Sequence, residues 1–171
     1  SCTEHILCPL GKYTKVAGNA TNNPICKSCE GGYFKSSVSL SSLKVDSCVA
    51  HTKCAAGQHT EIVGTVSSEP KCKSCGIGLF KSSVSTSSLK VDSCDVHTKC
   101  PAGKYTLGVG TAMTEPVCED CSSGLFKALI SASSVQLDIC LAHARGGAGK
   151  YTQVAGDVKK NPIFKSCEGG S

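Results

Sequence analysis

Apolar residues in this chain come in short alternating runs and never in a helical stripe. Val38 and Leu40, then Leu43 and Val45, alternate with polar neighbours around Ser41-Ser42. That period of two is the pattern of brief, half-buried strands. Gly18, Gly64, Gly110 and Gly156 mark a turn, and Pro24, Pro70, Pro116 and Pro162 punctuate the segment that follows. The pattern predicts short strands and turns with little or no helix.

The spacing of these features is fixed. Cys8, Cys54 and Cys100 stand 46 residues apart, as do Cys26, Cys72 and Cys118. Cys29, Cys75, Cys121 and Cys167 form a third phase, and Cys2, Cys48, Cys94 and Cys140 a fourth. A constant period implies a linear array in which each copy meets mainly its neighbours. The frame divides the chain into the end of a preceding repeat (1–7), three full repeats (8–53, 54–99 and 100–145) and a partial, degenerate fourth (146–171).

Composition explains why cysteine sets the frame. The chain has no Trp, 4 Phe and 4 Tyr, but 14 Cys in 171 residues, close to the density of disulfide scaffolds. A 46-residue repeat cannot bury enough apolar surface unaided, so cross-links must supply stability. The expected fold is therefore small and disulfide-rich, an elongated linear array, and the expected setting is extracellular or at the cell surface.

Each repeat splits into two related halves. One opens Cys8-Pro9-Leu10-Gly11-Lys12-Tyr13, the other Cys29-Glu30-Gly31-Gly32-Tyr33-Phe34. Glycine just inside each opening cysteine supplies the freedom for a tight turn. Tyr13, Tyr105 and Tyr151, with His59 as the exception, are placed to cover a bridge in the first half, and Phe34, Phe80 and Phe126 in the second.

Spacing alone leaves the disulfide connectivity open. The fourth repeat narrows it, because Gly146 replaces the equivalent of Cys100 and Phe164 that of Cys118, while Cys140 and Cys167 persist. Bonded partners should be lost together. The inference is Cys8–Cys26, Cys54–Cys72 and Cys100–Cys118, and adjacency then gives Cys29–Cys48, Cys75–Cys94 and Cys121–Cys140. Each loop of about 20 residues is worth ~3 kcal/mol in the chain-entropy model. Cys2 and Cys167 are left for partners outside the segment, so the array is expected to continue in register, with segments joined within one polypeptide or by intermolecular disulfides.

Residues His51-Thr52-Lys53-Cys54-Ala55-Ala56-Gly57, Gly64-Thr65, Cys72-Lys73-Ser74-Cys75, Gly78-Leu79-Phe80 and Cys94-Asp95-Val96-His97-Thr98-Lys99-Cys100 resemble the cysteine-rich repeats of the tumour necrosis factor receptor family. The resemblance spans nearly the whole chain and implies ladders of bridges between successive cysteines. The family's modules vary in length and cysteine number, and many carry a third bridge. Here Ser-Ser-Leu-Lys-Val-Asp-Ser-Cys recurs unchanged at 41–48 and 87–94. Such uniformity is similar to the near-identical arrays of large surface proteins in algae and other unicellular eukaryotes, and implies structure more than signalling.

Candidate chemistry is sparse. The Cys-x-x-Cys pairs at Cys26/Cys29, Cys72/Cys75 and Cys118/Cys121 lack the βαβ context of a redox site. Cys48-x-x-His51-x-x-Cys54 has zinc-like spacing, repeated at His97 and His143. The fourth repeat keeps Cys140 and His143 but loses the cysteines at 146 and 164, which favours these histidines as residues packing beside a bridge. No metal, cofactor or enzymatic activity is expected, and no nucleophile elbow or phosphate loop occurs.

Net charge is +5, with Lys35, Lys81 and Lys127 in one phase and Lys44 and Lys90 in another. They are expected to form a solvated face, without the clustering or aromatic interleaving that binds nucleic acid. No apolar run is long enough to span a membrane in this segment. Asn19-Ala20-Thr21 is an N-glycosylation acceptor, and the serine tracts at 36–42 and 82–88 are candidates for O-linked sugar. The leading expectation is a structural segment of a disulfide-laddered fibre or surface filament, whose partners are copies of itself or further repeats, and glycans. The alternative is a ligand-binding ectodomain of the receptor type.

Overall fold

The computed structural model describes residues 5–167. Among the described residues every regular element is a strand. The first half of each repeat is a hairpin: β1 (Lys12–Val16) with β2 (Ile25–Ser28). The second half closes on a two-residue ladder, β3 (Tyr33–Phe34) with β4 (Val49–Ala50). The next repeat follows with β5 (Gln58–Ile62), β6 (Lys71–Ser74), β7 (Leu79–Phe80) and β8 (Asp95–Val96). Then come β9 (Lys104–Gly108), β10 (Val117–Asp120), β11 (Leu125–Phe126) and β12 (Leu141–Ala142), and last β13 (Lys150–Val154) and β14 (Ile163–Ser166). All seven sheets among the described residues have two antiparallel strands. An isolated two-stranded ribbon is marginal in water, and the six ribbons from β1 to β12 each carry or adjoin a bridge, while in β13–β14 Phe164 stands in the cysteine position.

Contacts divide the chain into two units: Ser1–Cys75 with Lys81–Cys94, and Gly76–Phe80 with Asp95–Ser171. Within each, the halves are tied by recurring backbone bonds. Gly11 N–H donates to Lys35 C=O, Cys29 N–H to Gly11 C=O, and Ser39 N–H to Cys8 C=O. The same three bonds return at Gly57, Cys75 and Ser85, and again at Gly103, Cys121 and Ser131. Gly11, Gly32, Gly57, Gly78, Gly103, Gly124 and Gly149 all have positive φ. Six of them lie just inside an opening cysteine and Gly149 holds the same place after Gly146, and left-handed backbone is what the tight turn demands.

The core is sulfur and hydroxyl. Cys8, Cys54, Cys100, Cys29 and Cys121 are buried, with Thr14, Thr60 and Thr106 beside them. The stretches carrying Val38, Leu40, Leu43 and Val45 are not strands; they form turns and irregular chain. The alternation there is inverted. Ser39 is 2% exposed and Leu40 99%. The loop is short and has only a bridge and polar groups to pack against, so serine, able to bond inward, takes the buried place.

Candidate functional site

Three copies of one polar cluster fill the interior of the repeats. Thr14 Oγ1 donates to Ser39 Oγ at 3.2 Å and lies 3.4 Å from Cys8 Sγ. Its backbone N–H donates to Asp46 Oδ1 at 2.5 Å, and Asp46 Oδ2 is paired with Lys35 Nζ at 3.1 Å. Lys35 Nζ also donates to Ser39 Oγ and to the Ser37 carbonyl. The second copy joins Thr60, Ser85, Asp92 and Lys81, with Lys81–Asp92 at 2.5 Å. The third joins Thr106, Ser131, Asp138 and Lys127, with Lys127–Asp138 at 2.7 Å.

The expectation of a solvated lysine face therefore fails at Lys35, Lys81 and Lys127, whose side chains are only 10–11% exposed. A repeat without a hydrocarbon core can bury an ammonium if carboxylate, hydroxyl and carbonyl partners meet it at once. Lys44 and Lys90 do lie exposed. Among the described residues, no buried side-chain nitrogen or oxygen lacks a partner.

Burial pushes the Asp138 carboxyl upward, but hydrogen bonds from Lys127, the Thr106 amide and Ser131, and then the Lys127 charge, outweigh it and lower the pKa to about 2. Asp92 is held well below the ordinary carboxylate range by the equivalent opposition. In Asp46, burial again acts upward and loses to the Thr14 amide, Ser39 and Lys35. All three carboxylates are built to stay ionised.

The histidines occupy a second recurring position. The His51 and Phe34 rings are 5.5 Å apart, and Phe80–His97 and Phe126–His143 repeat that spacing. His51 Nε2 bonds the Thr65 carbonyl at 2.9 Å and Nδ1 the Ser88 hydroxyl at 3.1 Å. A carbonyl only accepts, so these partners assign the proton to Nε2 and leave Nδ1 to accept from Ser88. Both nitrogens of His97 are engaged in the same way, by Thr111 and Ser134. The third ring, His143, bonds the Asp157 carbonyl.

Zinc-like spacing thus leads to no free ligand set at His51, since Cys48 is bridged to Cys29 and Cys54 to Cys72. His59 comes close to Cys75 and Cys94, but those two sulfurs are bonded to each other. The remaining bridges are Cys8–Cys26, Cys100–Cys118 and Cys121–Cys140. In each Cys-x-x-Cys pair the two sulfurs go to different partners, so none is a dithiol. Cys167 is a free, exposed cysteine, and Cys2 lies outside the described residues.

Three further roles were not legible in the spacing. A Cβ on Gly64 or Gly110 would collide with the His51 or His97 ring. These glycines, expected as turn residues, are small because an imidazole packs on them, and the turn follows at Thr65–Ser68. Asn23 and Asn161 accept the backbone N–H of Ile6 and Ala144, as Glu69 and Glu115 accept those of Thr52 and Thr98. In the degenerate repeat the Phe164 ring lies against Gly146, in the space a bridge would occupy.

Expected aromatic cover is partly rearranged. Phe34 packs against His51, while Tyr13 borders an open cleft with Cys29 and Cys48, the bridge of the other half. Asn19 is exposed in a turn, its Oδ1 accepting from Thr21 N–H, Thr21 Oγ1 and Asn22 N–H, each at 3.0 Å. Ser36, Ser37, Ser82 and Ser83 are exposed, but Ser39, Ser85 and Ser88 are buried and closed to sugar.

Similar chains occur among solved structures. A chain of the "Human RANKL/OPG complex" matches with TM-score 0.38 and 23% identity, over 95% of this chain and 90% of that one. One of the "Crystal structure of mouse RANKL-OPG complex" matches with TM-score 0.37 and 22% identity, over 80% and 90%. No protein-family model matches, and a search of curated proteins finds no match. Among the described residues, seven strand pairs and six bridges recur in tandem.

Proposed function

We propose that this chain is an extracellular structural protein, a segment of a disulfide-laddered fibre or cell-surface filament, with no catalytic role. The observation that carries this reading is the recurrence, at a 46-residue interval, of one buried cluster: Thr14, Ser39, Asp46 and Lys35, then their equivalents twice more. Repeats with the same interior and the same backbone ties stack with the same step, which is what a filament needs. The twelve cysteines from Cys8 to Cys140 are spent in bridges, and His51 and His97 in ring contacts and hydrogen bonds.

Glycans on Asn19 fit an exposed turn in an oxidising compartment. Peptide mass spectrometry of native material, with and without glycosidase, tests that assignment. Electron microscopy of native material tests the fibre itself: extended filaments are expected, and a discrete short particle would overturn the reading. A receptor ectodomain is the second reading, supported by the cysteine spacing. A membrane span followed by a cytoplasmic signalling domain in the full-length protein would decide for it.

A further inference from the structure

The second repeat puts an imidazole where the others have a phenol: His59 stands in the place of Tyr13, Tyr105 and Tyr151. In the third repeat that side chain is engaged by a carboxylate, the Tyr105 hydroxyl donating to Glu119 Oε2 at 2.9 Å. The equivalent of Glu119 is Lys73, which offers no acceptor and is itself bonded to Glu61 at 2.7 Å. His59 instead brings Nδ1 to 3.4 Å from Cys94 Sγ. A bridged sulfur carries no hydrogen, so the imidazole is the donor in this contact and Nδ1 holds the proton. The same bridge is the more open one. Cys29 and Cys121 are 5% exposed, whereas their equivalent Cys75 is not buried but partly exposed. The His59 nitrogen and the Cys75 and Cys94 sulfurs all lie within 4.8 Å of one another.

We infer that Cys75–Cys94 is a thiol-exchange site, at which an external thiol is captured as a mixed disulfide on Cys75. The incoming thiolate attacks Cys75 Sγ. A new sulfur–sulfur bond forms there as the Cys75–Cys94 bond breaks, and the electron pair leaves on Cys94 Sγ. The departing thiolate is met by His59 Nδ1–H, which holds it by a charge-assisted hydrogen bond and, when the ring is an imidazolium, gives it the proton. A sulfur leaves faster as the pKa of its thiol falls, and a histidine beside it lowers that pKa. One disulfide is exchanged for another, so the step consumes nothing but the thiol. Exposure of Cys75 sets which sulfur is attacked, and the position of His59 sets which one leaves. The site stands apart from the filament reading, since it needs only the second repeat.

The test uses the intact oxidised chain with its free thiols blocked by iodoacetamide, so that added glutathione is the only nucleophile. After timed exposure at neutral pH, newly freed thiols are trapped with N-ethylmaleimide and the peptides are mapped by mass. Glutathione should appear on Cys75 and maleimide on Cys94, about tenfold sooner than at Cys29–Cys48 or Cys121–Cys140. His59→Tyr restores the residue of the other repeats and should bring the rate down to theirs. His59→Leu separates exposure from chemistry, because it leaves Cys75 open without a donor at Cys94; it too should lose most of the advantage. An unchanged disulfide map before thiol is added verifies folding of each variant. Tyr105→His should transfer the lability to Cys121–Cys140. Equal rates at the three bridges of the wild type, glutathione on Cys94 in place of Cys75, or a His59→Leu variant as fast as the wild type would overturn the proposal.

Discussion

The ammonium of Lys81 lies 2.5 Å from Asp92 Oδ2, and the other carboxylate oxygen of Asp92 takes the backbone N–H of Thr60 at the same distance. One ion pair thereby ties the loop of the second half to the hairpin of the first, across a sequence separation of 32 residues. Replacing Lys81 by Met should leave Asp92 without its cation and weaken that tie by about 2 kcal/mol. Amide hydrogen exchange should report faster opening at Thr60, and unchanged protection there would refute the role given to the pair.

Acid should act on the same clusters. The folded pKa of Asp138, about 2, lies below the ordinary value of about 3.9. A depressed carboxyl contributes stability fully present above its unfolded pKa and lost as pH falls through the folded one. Exchange protection at Thr106 should therefore hold at pH 5 and decline between about pH 4 and pH 2, with Asp138→Asn flattening the profile.

Two glycine changes separate packing from backbone freedom. Gly64→Ala puts a methyl into the His51 ring, and overpacking of this kind costs about 1–3 kcal/mol. Gly32→Ala meets no neighbour within 4 Å but must hold φ +87°, a strain of about 1–2 kcal/mol. Thermal unfolding of both variants, with a loss of the His51–Phe34 contact by NMR only in the first, distinguishes the causes.

Pairing is open to direct measurement. Non-reducing peptide mapping should link Cys54 to Cys72 and Cys75 to Cys94, and a bridge from Cys54 to Cys94 would break the ladder. Full reduction should abolish ordered structure in the bridged repeats, since few apolar side chains hold them. A cooperative thermal transition surviving reduction would show a stronger core than this one.

The degenerate repeat provides a gain-of-function check. Phe164 packs on Gly146 where the other repeats have two cysteines. The double variant Gly146→Cys/Phe164→Cys should form a new bridge, visible as a loss of two mass units, and slow exchange in the hairpin of Lys150–Val154 and Ile163–Ser166. Two free thiols in the oxidised variant would count against equivalence with Cys100 and Cys118.

The sequence by itself determined the repeat. Fourteen cysteines in four fixed phases, glycines inside the opening ones and the absence of a helical period define a small disulfide-rich array, because those constraints are local or act at a constant spacing. What only the tertiary structure decided is the interior. Ser39 turns inward while Leu40 turns out, and Lys35 meets Asp46 within a cluster that includes Thr14. Hydrophobic patterning cannot reveal such a core, since burial here follows hydrogen-bond satisfaction and not apolarity. The role of Gly64 was hidden for the same reason: its need for smallness comes from a ring 13 residues away that the fold lays against it.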